Sequence, residues 1–319
     1  MKTSILIASL LSATLVGACS NVLPGPPAGI VMTPSVKQEG MQPTKANIAY
    51  ARSSDAQNLD LYLPAGNGPF PVLVYIHGGG FKFGNKEMAS ANLVKGFLKG
   101  GYAVASINYR LSGEAQFPAA VQDAFQAIAY LKKNAKALDL NEDQIGVYGE
   151  SAGANIAALT GTAYGQPLFK QGLATSIDVK PFAVIAHYPP VDFLKIDTML
   201  KEQGCPGRAT HDSADSFESI YMGGALPSIP KKVAQANPAT YASSHATPFF
   251  IQNGSHDCAV GSGQARLLVK ALEQNSASVS YEQIPGAQHG GPEFETAGNL
   301  RKMLDFLRNA RDGEGAAPN

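Results

Sequence analysis

Phe70-Pro71-Val72-Leu73-Val74-Tyr75-Ile76 is an almost unbroken apolar run. A strand with one face in water alternates apolar and polar residues, so an unbroken run marks a strand buried on both faces. Such a strand needs helices above and below its sheet. The rest of the chain supplies them in alternation. Segments 102–107, 145–148, 182–186, 248–252 and 279–284 read as strands. Segments 88–99, 152–162, 264–274 and 293–309 read as helices, and Pro118 opens another. In that helix Val121, Phe125, Ile128 and Leu131 recur at spacings of four and three. In the last helix Phe294, Ala297, Leu300, Leu304 and Leu307 are expected on one side. Two short strands, 47–52 and 59–63, precede the run, with Ser53, Ser54 and Asp55 turning between them. The pattern predicts an α/β domain over 46–312, with a mostly parallel central sheet and helices on both faces. Residues 192–242 break the rhythm with Gly, Pro and Ser. They read as a small cap-like insertion over the carboxyl edge of the sheet, where ligands of open α/β sheets bind.

The ends carry a different message. Residues 1–18 hold a lysine and then a short apolar run, too short to span a bilayer, and read as a signal peptide. Residues 19–45 read as a Pro/Gly-rich tether, and 313–319 as a disordered tail. Leu15-Val16-Gly17-Ala18-Cys19 resembles a bacterial lipobox. That resemblance implies lipidation at Cys19 and an address in the cell envelope at the outer membrane; secretion or a periplasmic location is the alternative. Export favours a disulfide between Cys205 and Cys258, with two free thiols as the other outcome. The 25 basic residues balance the 25 acidic ones without a basic stripe. No nucleic-acid partner is expected, and contact with a membrane only through a lipid anchor.

Gly149-Glu150-Ser151-Ala152-Gly153 lies between a strand (Ile145 to Tyr148) and a small-residue helix. A serine on a sharp strand-to-helix turn is an exposed nucleophile, and the glycines admit the close approach of strand and helix. His77-Gly78-Gly79-Gly80-Phe81 follows the apolar strand, and its glycines leave N–H groups free for an oxyanion. His77 is expected to orient this loop. His289, between the last strand and the last helix, is the candidate general base. Asp257, just after a strand, is the candidate orienting acid, with Asp192 as the runner-up. The order Ser, Asp, His fits this arrangement. His187, His211, His245 and His256 read as structural or exposed, and Asp123 as a structural carboxylate. No metal-ligand spacing is present, so neither metal nor cofactor is expected.

With these residues in place, the chain resembles esterases of the α/β-hydrolase superfamily from about Ala46 to Asn309. Tyr109-Arg110-Leu111-Ser112, Phe117-Pro118-Ala119-Ala120 and Asp123 match a signature of hormone-sensitive-lipase-like esterases. The stretch Asn58 to Gly66 and the stretch Tyr109 to Ala119 look most similar to bifunctional feruloyl and acetyl xylan esterases. The resemblance implies Ser151, Asp257 and His289 as a catalytic triad, and the N–H groups of Gly79, Gly80 and Ala152 as an oxyanion hole. The sequence departs from the group at Ala154-Asn155 and in having no Trp. The expected activity is serine carboxylic ester hydrolysis through an acyl-enzyme, on short-chain, aryl or acetyl esters that include carbohydrate-linked ones. Phe81 and Tyr188 are the candidate substrate-binding side chains, with Phe83 and Phe193 nearby. An amidase or peptidase on the same scaffold and a non-catalytic, surface-anchored binding protein are the alternatives. A lipase is disfavoured by the few apolar residues of the insertion.

Overall fold

A computed structural model describes residues 41–174, 176–205 and 210–313. The signal peptide, Cys19, nearly all of the tether and the tail beyond Gly313 lie outside the described residues.

Eight strands form one sheet: β1 (Lys45–Ala49), β2 (Asn58–Tyr62), β3 (Phe70–Ile76), β4 (Ala103–Ile107), β5 (Leu140–Glu150), β6 (Val184–His187), β7 (Phe249–Gly254) and β8 (Val279–Ile284). Their spatial order is β1-β2-β4-β3-β5-β6-β7-β8. β2 runs antiparallel to β1 and β4, and every pairing from β4 through β8 is parallel. The apolar run lies between β4 and β5, with helices over both faces, which is why it does not alternate. Leu73 and Tyr75 meet Leu93, Val94 and Phe97 of α1 (Ala91–Lys99) and Met303, Phe306 and Leu307 of α8 (Ala297–Asp312) in one apolar cluster. Val72, Val74 and Ile76 face the opposite way. They share a cluster with Phe125, Ile128 and Leu131 of α2 (Ala119–Asn134), Ile156 and Leu159 of α3 (Ala152–Thr162), and Leu268 and Leu272 of α7 (Ser262–Gln274). Each such side chain, fully buried, contributes roughly 1.5–3 kcal/mol.

Several boundaries move. β1 starts at Lys45, which pairs with Leu61, so this residue belongs to the sheet rather than to the tether. β5 begins at Leu140, paired with Phe70, five residues before the expected start. Polar residues Asn141 to Gln144 hide this part of the strand because it is partly exposed to water. The last helix starts at Ala297, where the Thr296 hydroxyl accepts the Asn299 N–H at 3.2 Å. Phe294 lies before it on a separate 3-10 turn, and Ala297 is exposed. Leu307 is buried as expected, and Leu300 and Leu304 pack partly buried against the same cluster; Met303 and Phe306 complete the buried side.

The insertion is more ordered than its composition suggests. It contains α4 (Ile196–Glu202), α5 (Phe217–Met222) and α6 (Pro230–Gln235). None of these is long enough to display a helical period. A disulfide joins Cys205 to Cys258, with Cα atoms 5.5 Å apart, and so ties the insertion to the loop after β7.

Candidate active site

Ser151 is the single residue between β5 and α3, with φ 52° and ψ −121°. A non-glycine residue held there costs on the order of 1–3 kcal/mol and persists only where its surroundings dictate it. They do so here. A Cβ on Gly149 would stand 2.2 Å from the Gly153 carbonyl oxygen, and one on Gly153 would stand 2.1 Å from that of Ile76. Only glycine fits on either side, and the one side chain at the tip projects from the sheet. The Ser151 N–H donates to the His187 carbonyl at 3.0 Å, which fixes the turn to β6.

The loops after β7 and β8 bring two more groups to this point. His289 Nε2 lies 2.8 Å from Ser151 Oγ, and its Nδ1 lies 2.8 Å from Asp257 Oδ2. The other carboxylate oxygen of Asp257 accepts from the N–H groups of Ala259 and Val260 at 2.9 and 3.0 Å. Burial pushes the Asp257 carboxyl upward. The adjacent His289 and these hydrogen bonds outweigh it, so the group is held below the usual carboxylate range. An ionised acceptor at Nδ1 selects the tautomer that carries its proton there and leaves Nε2 to accept from Ser151. Asp192 is engaged elsewhere, 3.1 Å from Lys195, and makes no bond to His289. Tyr188 packs edge-on against His289, with ring centroids 4.7 Å apart.

The glycine loop passes beside the serine: a Cβ on Gly78 would lie 3.3 Å from that of Ser151. Gly79 and Gly80 have φ of 114° and 59°, where side chains are strained. Among the described residues no acceptor takes the N–H groups of Gly79, Gly80 or Ala152. The loop is supported from behind. His77 Nδ1 donates to the Gly78 carbonyl at 2.7 Å, and its ring stacks on Tyr109 at 4.4 Å. The Tyr109 hydroxyl donates to the His77 carbonyl at 3.0 Å, and the Ser112 N–H to that of Phe81 at 2.8 Å. Burial lowers His77 to a pKa of about 4, so it is neutral at neutral pH and serves the loop as a donor.

Phe81 is not where substrate recognition by a side chain would need it. Its ring is 1% exposed and stacks on Tyr221 of α5 at 3.9 Å, with Phe193 at 5.8 Å. Core packing claims this aromatic, as it does Phe193. His245 and His256 are exposed, whereas His187 and His211 are buried. His187 Nδ1 faces the Tyr148 hydroxyl, and His211 pairs with Glu218. Glu150 precedes the serine in the five-residue motif. Its carboxylate accepts from the hydroxyls of Tyr75 and Tyr148 at 2.8 and 2.5 Å. Burial raises it above the usual carboxylate range, against these two donors. Both tyrosines sit on strands, and nothing in their local sequence names this partner. Among the described residues no group of three or more His, Cys, Asp or Glu is arranged to hold a metal ion.

The sheet order, the strained serine turn, and the loops after β7 and β8 that bring Asp257 and His289 to it define the α/β-hydrolase fold. Within that fold the chain belongs to the BD-FAE esterase family, whose model matches residues 59–272. Esterase LipQ of Mycobacterium tuberculosis is 29% identical over 245 residues, covering 74% of this chain and 55% of that protein. Esterase LipC of the same organism is 28% identical over 246 residues, covering 77% and 56%. The chain thus spans about half the length of the curated relatives it matches. A truncated form of a carbohydrate esterase from gut microbiota superposes with a TM-score of 0.77 at 26% identity, over 84% of this chain and 96% of that one. A bifunctional GH43-CE protein of Bacteroides eggerthii superposes with a TM-score of 0.75 at 29% identity, over 83% and 35%.

Proposed function

We propose that this chain is a serine carboxylic ester hydrolase that works through an acyl-enzyme. The observation that carries the reading is the unbroken relay from Asp257 through His289 to Ser151, 2.8 Å at each link. Ser151 Oγ attacks the ester carbonyl carbon as His289 Nε2 takes its proton. The carbonyl oxygen gains the negative charge and is met by the N–H groups of Gly79, Gly80 and Ala152. The carbon–oxygen bond to the alcohol breaks, and the alcohol leaves with the proton from His289. Water then attacks the acyl-Ser151 carbonyl, gives a proton to His289, and releases the acid and the free serine. Asp257 keeps the imidazole in the working tautomer and stabilises the imidazolium formed in each half.

Short-chain, aryl and acetyl esters, carbohydrate-linked ones included, are the proposed substrates. The kinship with named esterases and with a carbohydrate esterase supports this. Phe217 of α5, whose ring stands 2.4 Å from the place of a Cβ on Gly80, is the side chain proposed to limit the acyl group beside that loop. The test is a panel of p-nitrophenyl esters from acetate to palmitate, with p-nitroacetanilide as the amide. Acetate and butyrate should turn over, and palmitate and the amide should not. Phe217→Ala should extend the accepted acyl length. An enzyme that cleaves only the amide, or none of the panel, would refute the reading.

Export and a lipid anchor at Cys19 belong to the same proposal. The N-terminal pattern supports them, as does the Cys205–Cys258 bridge, since such bonds persist in oxidising compartments. Mass spectrometry of the mature N-terminus is expected to find a diacylglyceryl group on Cys19; an unmodified residue there would remove the anchor from the proposal.

A further inference from the structure

The reaction scheme makes no use of one contact that the insertion makes with the acid loop. Gln203 follows α4 and is half-buried. Its Nε2 donates to the Asp257 carbonyl at 2.7 Å. Its Oε1 accepts from the N–H and the hydroxyl of Ser262 at 2.9 and 3.0 Å. These partners dictate how the amide lies, because a carbonyl only accepts and a backbone N–H only donates. Ser262 is the first residue of α7, so one side chain joins the acid to the helix at the far end of its loop. Two residues after Gln203, Cys205 is bonded to Cys258, the residue that follows Asp257. On the other side, the His256 N–H donates to the Ala287 carbonyl at 2.9 Å, which ties the acid loop to the base loop. The main chain on either side of the acid is therefore anchored, and the insertion supplies the anchors on the C-terminal side.

We propose that Gln203 is a positioning residue for Asp257 and that the Cys205–Cys258 bridge latches it in place, so that full activity belongs to the oxidised chain. The proposal rests on the ester-hydrolase reading of the site. A displacement of about 1 Å at a remote support can cost about a hundredfold in rate, and the Asp257–His289 bond depends on the main chain that carries the acid. Cys258 is exposed, so a reductant can reach the bridge. Dithiothreitol would convert it to two thiols and itself become the cyclic disulfide.

Four measurements test this. Gln203→Ala should lower kcat for p-nitrophenyl acetate by about ten- to a hundredfold with KM within about twofold. Reduction of the wild-type chain to two free thiols should produce a fall of the same kind. The Cys205→Ser/Cys258→Ser double variant should start low and not respond to reductant. The downfield proton resonance of the His289–Asp257 hydrogen bond, recorded without substrate, should weaken in Gln203→Ala and on reduction. A lower melting temperature with kcat and the resonance unchanged would assign Gln203 and the bridge to stability alone and overturn the proposal. If Gln203→Ala does not fold, the reductant titration decides by itself: full kcat at two free thiols overturns it. The resonance needs no turnover, so it separates failure here from failure of the ester-hydrolase reading.

Discussion

Ser151→Ala is expected to lower kcat for p-nitrophenyl acetate by roughly 10⁴- to 10⁶-fold. Alanine keeps the Cβ, so the backbone at φ 52° is no more strained than before and the melting temperature should hardly move. The only group removed is the oxygen 2.8 Å from His289. His289→Ala should cost about as much, and the double variant little more than either single one, since nucleophile and base act in one step. Asp257→Asn keeps the shape of the acid and replaces a carboxylate oxygen by an amide. An amide nitrogen facing Nδ1 is a donor and favours the wrong tautomer, so a loss of about 10⁴ is expected there too. The residual rate of Ser151→Ala reports what the N–H groups of Gly79, Gly80 and Ala152 do without a nucleophile. Activity above about a hundredth of wild type would place the reacting group elsewhere.

The parts of this site that could be read from the sequence are those whose cause is local. Gly149 and Gly153 are needed because of atoms within four residues of them or on the adjacent strand, so the five-residue motif contains most of its own reason. The buried strand Phe70–Ile76 announces its two neighbours by the loss of alternation. His289 and Asp257 are legible by position, after strands and in the order Ser, Asp, His. What stayed hidden depends on residues distant in the chain. Gln203 meets Asp257 across 54 positions, and Tyr75 meets Glu150 across 75. Phe81 looked like a pocket residue because its contact with Tyr221 joins the glycine loop to an insertion helix too short to be recognised. The strand at Leu140 is masked by polar residues at its exposed end, and the tether boundary by an edge strand of five residues, KANIA, that is almost wholly exposed.

Asp123 shows how a residue read only as structural reaches the site. It is fully buried and accepts from the Arg110 N–H at 2.8 Å, from Arg110 Nη2 at 2.7 Å and from Gln57 Nε2 at 2.6 Å. Arg110 lies in the segment whose Tyr109 hydroxyl and Ser112 N–H hold the glycine loop at His77 and Phe81. The two ways of breaking this pair should not be equal. The Arg110 side chain is 18% exposed and the Asp123 side chain 0%. After Asp123→Ala the guanidinium can turn partly to water, whereas after Arg110→Met the carboxylate keeps Gln57 and the Arg110-position N–H but loses its counter-charge with no route to solvent. Arg110→Met should therefore destabilise by about 3–5 kcal/mol and Asp123→Ala by less, because the larger penalty belongs to the charge left deeper. Urea midpoints at unchanged m-value measure both. In each variant kcat should fall at urea concentrations well below the midpoint, since the loop carrying Gly79 and Gly80 loses its backing before the sheet does. The reverse order of midpoints would mean that water reaches Asp123 once its partner is gone, and that the depth of the carboxylate does not set the cost of breaking the pair.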